Sequence, residues 1–369
     1  MQDNQIYDQG MMEKYQNRVN CNSLKIRMDQ KLKNLEFLQK FDLSKLCIDS
    51  CTSIIPKLNS KTIKELALCY CTIQCIDEFE LENLEVLILK KDKYEDGQVQ
   101  NIIKYRKLKQ LELLQYHDTD INIISQIVSL ISLKLDFCGL IDIDTLKSLT
   151  LLKELSLSGN FELDISPLPA FVQLVALDLS SCSLRDISKL QSLTNLKQLS
   201  LNGNYGVDIA PLQYIKQLTY LDLGFCCLKS VDILRALLNL EEIQLNNNSI
   251  VYIQPLYDLK FLSKANATNN TIVDAYILES HTNFNEFSLG EQQEPTKYDM
   301  ASANQLKNIN SPIFMLRKLF SMRNQFKSQY DSATQNANKY VQELVNKHIQ
   351  SVGQFATMFQ RLNQIEVIQ

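Results

Sequence analysis

Leucine and its aliphatic substitutes recur along most of this chain at a nearly fixed interval. Segments of the form L-x-x-L-x-L-x-x-N/C-x-L/I begin at Ile63, Leu84, Leu108, Leu130, Leu152, Leu174, Leu196, Leu218, Leu240 and Leu262. Every step from Leu108 onward is 22 residues, and the two before it are 21 and 24. Two weaker copies, near Cys21 and Leu43, keep 22 residues between Leu24 and Leu46. Within L-x-L the apolar residues alternate with polar ones, which predicts a short strand with one face inward. The following I-x-x-L-x-x-L spacing suits a turn of helix or 3-10 helix that closes a coil. One such unit cannot bury its apolar side alone. About ten of them stacked at the roughly 4.8 Å spacing of adjacent strands give a parallel sheet about 45 to 50 Å long over a continuous leucine core.

A second column runs just behind the strands: Cys71, Cys138, Asn160, Cys182, Asn204, Cys226, Asn248 and Asn270. Asp92 and Tyr116 interrupt it, and the coil is expected to be least regular between residues 84 and 125. Asn carries both a donor and an acceptor, and cysteine is a small, weakly polar group that tolerates burial. Neighbouring pairs also echo at 44 residues: LSLSGNFELDISPL from 155 returns as LSLNGNYGVDIAPL from 199, as expected if a two-repeat block was duplicated.

The segment LVALDLSSCSLRDISKLQSLTN (174–195) fills each apolar position of the longer pattern with Leu174, Leu177, Leu179, Cys182, Leu184, Ile187, Leu190 and Leu193. In this the chain resembles the leucine-rich repeat family, specifically the 22-residue type of the protein phosphatase 1 regulatory subunit and of internalins, over roughly residues 21–280. The resemblance implies an α/β fold: a leucine-rich repeat solenoid whose curved parallel sheet carries helical or 3-10 segments on its convex side. It also implies that the Asn/Cys column is a buried ladder bonded to backbone, and that a partner is met on the concave face.

Residues 1–20 read as an N-terminal lead-in or cap, 21–280 as the solenoid with about ten confident and two degenerate repeats, and 281–312 as a cap and linker rich in Asn, Gln, Ser and Gly. Ser311-Pro312 suits a helix start. From there Leu316, Leu319, Arg323, Phe326, Tyr330, Ala333, Ala337, Tyr340 and Leu344, then His348, Val352, Phe355, Phe359 and Leu362, form a heptad-like stripe with one phase slip. The 313–369 tail is thus expected to be an α-helical, coiled-coil-like segment of roughly 85 Å if unbroken. A homodimer or helical partner through that tail, packing onto the solenoid, and a membrane-surface helix all remain open.

Composition adds exclusions. Net charge is −4 with 42 acids against 38 Lys and Arg, which gives no electrostatic reason to expect nucleic acid. The first twenty residues lack an apolar stretch and no uncharged apolar run approaches the roughly 20 residues of a membrane span, so neither export nor a membrane span is expected. Ten cysteines without such a leader read as reduced thiols in the cytoplasm, with the nucleus also open. His117, His281 and His348 are too scattered for a catalytic set, and the nine glycines form no phosphate-cradling run. No enzyme, metal or cofactor is expected. Cys47, Cys51, Cys69, Cys71 and Cys75 fall in consecutive rungs, but Cys51 and Cys71 belong to the inner column while Cys47 and Cys69 project from the open face, so zinc is disfavoured.

The informative surface is the outward side of the strands. Its expected partner-binding residues are Glu65, Tyr70, Glu112, Asp136, Phe137, Glu154, Asp178, Tyr220, Asp222, Phe225 and Glu242. Aromatics there would act as desolvated anchors and carboxylates would meet a partner's Lys or Arg. Phe225→Ala and Asp222→Lys are expected to weaken a partner with little change in stability. The reading is a non-enzymatic protein-binding scaffold or adaptor. A Ser/Thr phosphatase regulatory subunit and a cytoskeletal or ciliary structural component are the alternatives.

Overall fold

Alternation within each repeat sets which side of the backbone is buried, and the repeat length sets where the next strand lands. The computed structural model describes residues 4–6, 23–27, 42–50, 58–71, 76, 79–90, 102–117, 120–275 and 285–289. Fourteen parallel strands follow one another in chain order in a single sheet. They are β1 (Asn4–Ile6), β2 (Ser23–Arg27), β3 (Lys45–Asp49), β4 (Glu65–Cys69), β5 (Val86–Lys90), β6 (Gln110–Leu114) and β7 (Ser132–Asp136), then β8 (Glu154–Ser156), β9 (Ala176–Asp178), β10 (Gln198–Ser200), β11 (Tyr220–Asp222), β12 (Glu242–Gln244), β13 (Lys264–Asn266) and β14 (Glu286–Ser288). The register carries one apolar column straight through the stack, from Leu46 and Leu66 through Leu133, Leu177 and Leu221 to Ile243 and Ala265. These residues are buried and belong to one continuous core. The chain divides into units Met1–Pro295 and Thr296–Gln369, and every described residue lies in the first.

The back of the coil follows the three-residue spacing. In one rung Leu190 N–H donates to Ile187 O and Leu193 N–H to Leu190 O, so Ser188–Ser192 forms a 3-10 helix with all three apolar side chains inside. Equivalent 3-10 helices occupy Asp144–Ser148, Ala210–Tyr214, Asp232–Ala236 and Gln254–Asp258. Asp142, Asp164, Asp186 and Asp208 each accept the N–H two residues on, which fixes the turn into the 3-10 segment. Ser230 does this through its hydroxyl. Tyr252 cannot. There, Asp274 of the following rung accepts from Ile253 and Gln254 N–H. In the stretch expected to be irregular, the turn is instead a short α-helix, Ile121–Ile124, capped by Asp120.

The inner ladder alternates two devices. Asn204 Oδ1 accepts from Cys182 and Leu184 N–H in the rung before it, while its Nδ2 donates to Leu179 O and Leu201 O. Asn160 and Asn248 repeat this pattern toward Cys138 and Cys226. The cysteines in between donate S–H to a carbonyl one rung back, Cys182 to Leu157 O and Cys226 to Leu201 O. The 44-residue echo is therefore a structural unit in which an Asn rung satisfies the Cys rung before it. Tyr116, which breaks the column, is also buried.

The sheet extends beyond the twelve repeats visible as a pattern: β1 pairs with β2, and β14 pairs with β13 in the register of a further rung. Glu286–Ser288 has no leucine and is placed by its pairing alone. The tail expected to be helical, most of the cap-and-linker segment, Asp92, Cys21, Cys51 and Cys75 lie outside the described residues.

Candidate functional site: the open face of the sheet

Three outward columns and one rim make up the open face. From β7 to β13 the columns hold short polar groups: Asp136, Ser156, Ser158, Asp178, Ser180, Ser200, Asn202, Asp222, Asn246 and Asn266. They bond to one another within and across rungs. Ser156 Oγ donates to Asp136 Oδ1 at 2.5 Å, Ser180 Oγ to Asp178 Oδ1 at 2.5 Å, and Ser180 and Ser200 hydroxyls meet at 2.7 Å. Asn202 Nδ2 donates to Asp222 and Asn266 Nδ2 to Asn246. The same carboxylates and amide also take backbone donors: Ser158 N–H goes to Asp136, Ser180 N–H to Asp178, Gly224 N–H to Asp222 and Thr268 N–H to Asn266. Diverting these N–H groups from the ladder gives a physical reason why β8, β9, β11 and β13 are three residues long while β2 to β7 are five. Burial raises the Asp136 carboxyl above its ordinary range, with the Ser156 hydrogen bond pulling the other way.

The N-terminal half of the face differs. Glu65 pairs with Lys45 at 2.7 Å, and Glu112 sits between Lys90 at 2.9 Å and Lys134 at 3.8 Å. Among these pairs lie Ala67, Val86, Ile88 and Leu114, half-buried on the outward columns. Cys47 and Cys69 stand beside them on β3 and β4, both half-buried free thiols. Hydrogen bonding from Cys69, helped by Lys25 and Lys90 against the opposing effects of burial and Asp49, brings the Cys47 thiol down to about 7.

A left-handed residue follows β3, β4 and each strand from β6 to β13, just before the ladder position, from Ser50 to Asn269, with φ between 54° and 74°. Asn and Gly adopt this conformation readily, but bulky side chains do so at a cost of order 1 kcal/mol or more. Three aromatics nevertheless occupy it: Tyr70, Phe137 and Phe225, 42%, 40% and 40% exposed. They stand on one rim of the face, with Phe137 and Phe225 four rungs or about 19 Å apart. The Phe137 ring fills the space where a Cβ on Gly159 would come within 2.4 Å, so this rim aromatic requires glycine in the next rung.

The eleven expected residues thus share one face but not one role. Glu65 and Glu112 are held by this chain's own lysines, and Glu242 has Lys264 at 3.6 Å. Asp136, Asp178 and Asp222 serve the backbone as well as the surface. The expectation that Asp222→Lys would spare stability is corrected by this: it would strip an acceptor from Gly224 N–H and from Asn202. Glu154 is exposed and enters no ion pair among the described residues. Tyr220 lies between Gln198 and Glu242 in the first column. The apolar group of Val86, Ile88 and Leu114 escaped the pattern reading, although VLILK lacks the polar alternation of its neighbours. Among the described residues no group of three or more His, Cys, Asp or Glu is arranged to hold a metal. No described helix is long and apolar enough to cross a membrane.

A consecutive parallel sheet, 3-10 segments behind it and a buried Asn/Cys ladder between them define a leucine-rich repeat fold. Residues 172–214 match the family model for leucine-rich repeats in two copies. The fold is similar to an internalin of Listeria monocytogenes, at 20% identity over 81% of this chain and 89% of that one, with a TM-score of 0.50. It is similar also to a leucine-rich repeat protein of Leptospira interrogans, at 19% identity over 85% of this chain and 97% of that one, with a TM-score of 0.55. A TLR13–ssRNA13 complex shares the fold at 17% identity over 74% of this chain and 46% of that one, with a TM-score of 0.58. No curated protein is similar enough in sequence to count as a relative.

Proposed function

We propose that this protein is a non-enzymatic scaffold that captures a protein partner on the open face between β7 and β13. The observation that carries the reading is the cross-bonded polar lattice of that half, flanked by aromatics held in a costly backbone conformation. Such a lattice is ordered before binding, so little side-chain freedom is lost on contact. Its outward columns carry Asp136, Glu154, Asp178, Asp222 and Glu242 against Lys134 and Lys264, which favours a basic partner surface. Phe137, Phe225 and Tyr220 would supply the desolvated anchors. The 313–369 tail would add dimerisation or a second contact by linkage. A cytoplasmic setting is supported by the ladder itself, in which Cys138, Cys182 and Cys226 are free thiols used as buried S–H donors.

The test is a pull-down with the full chain, a 1–312 fragment, and two single variants. Glu154→Lys should lose the face partner, whereas Leu238→Ser, at an exposed site away from the outward columns, should retain it. Equal loss in both variants would remove the open face as the binding surface. Loss only on truncation would transfer the activity to the tail.

A further inference from the structure

Each strand enters the sheet from one flank of the coil and leaves toward the other, so residues before and after the strands line opposite edges. Ahead of β7 to β11 stand residues 128–131, 150–153, 172–175, 194–197 and 216–219. They include Lys153, Lys197 and Lys216 and no acid. None of these three lysines enters an ion pair among the described residues. Val128, Leu151 and Val172 project from the same flank, half exposed or more.

The opposite flank, just past the ladder position, holds residues 139–142, 161–164, 183–186, 205–208 and 227–230. Asp142, Glu162, Asp164, Asp186 and Asp208 there outnumber Arg185 and Lys229. Hydrogen bonds from Ser166 and Ser188, and more weakly Lys189 behind, hold Asp164 and Asp186 below the usual carboxylate range, so both stay charged. Ile141, Phe161 and Tyr205 are 64%, 61% and 63% exposed on this flank. Apolar groups exposed in line along one edge mark a contact surface.

Both flanks are ends of the same strands and share their step of about 4.8 Å. A second copy shifted sideways along the strand direction therefore meets the first rung for rung. At β7 this sets Ile141 against Val128 and Ile131, and at β8 Phe161 and Glu162 against Leu151 and Lys153. At β10 Tyr205 and Asp208 meet Lys197, and only at β11 do like charges, Lys229 and Lys216, fall opposite each other. A two-fold arrangement would instead press acids on acids or lysines on lysines. We propose that the chain binds further copies of itself flank to flank, the acidic, aromatic edge of one against the basic, aliphatic edge of the next. The contact is heterologous, so a copy with one flank occupied still offers the other and growth does not stop at two. The open face stays free, and the proposal does not depend on what that face holds.

Sedimentation velocity of the full-length protein over rising concentration tests this. The wild-type coefficient should climb past that of a dimer and fall back as salt screens the exposed charges. Two variants each disable one flank at the rung of β8: Phe161→Ser with Glu162→Lys, and Leu151→Ser with Lys153→Glu, all at exposed positions. Either alone should weaken self-association about tenfold or more. Mixed, they should form one-to-one pairs that grow no further, because each keeps the flank the other needs. If either loses the wild-type circular dichroism, Glu162→Lys and Lys153→Glu alone take their place. A wild type that stays monomeric would overturn the proposal and leave the flanks to a different protein. A dimer that both variants form as well as the wild type would overturn it and assign association to the tail. A mixture that associates no better than its components would overturn it too.

Discussion

Asn204 shows how much one side chain can carry in a stacked fold. It satisfies two N–H groups and two carbonyls that no water can reach. Asn204→Ala should therefore cost at least about 3 kcal/mol, since each buried unsatisfied group costs roughly 1 to 3. Chemical denaturation of the variant checks this. Asp274 makes a different residue-level prediction. Burial raises its carboxyl to about 6 even though Ile253 and Gln254 N–H favour the ionised form. A raised acid binds a proton more tightly when folded, so its stabilising contribution is complete below about pH 4 and is lost as pH rises through 6. The loss amounts to at most about 3 kcal/mol. Measured against Asp274→Asn, the wild type should lose relative stability between pH 4 and 7, and a pH-independent difference would contradict the assignment.

At the level of the element, the rim sets binding against stability. Phe225 takes a backbone conformation that suits Asn, as at Asn247 and Asn269 in the same column. Phe225→Asn should leave stability unchanged or raise it by up to about 1 kcal/mol while weakening the partner. A thermal unfolding curve and a pull-down on one preparation read both effects. Leu179→Ala, in the core directly after Asp178 in the same rung, should by contrast cost roughly 2 to 5 kcal/mol through the cavity it leaves. The strands and turns around these sites were legible in advance because each is coded within a few residues: L-x-L for the strand, Asp-Ile-x-x-Leu for the 3-10 turn. The 20-residue step from β3 to β4 was less so, because it falls where the leucine pattern is weak.

For the whole molecule, stability is a sum over rungs and their interfaces, and no single rung nucleates the rest. A fragment ending at residue 312 should remain folded and cooperative by circular dichroism and denaturation; an insoluble fragment would make the tail an intrinsic part of the cap. The sequence by itself determined the repeat, the side of each strand that is buried, and the Asn/Cys ladder, because these depend on periodic local patterning that recurs in each unit. Only the tertiary structure decided which face carboxylates are free. Glu112 and Glu154 both lie on outward columns, yet one is clasped between Lys90 and Lys134 and the other is exposed. It also decided that Glu286–Ser288 is a strand. Those outcomes depend on which side chains register places side by side from rungs about 20 to 25 residues apart, and a small change in one repeat's length shifts every such neighbour.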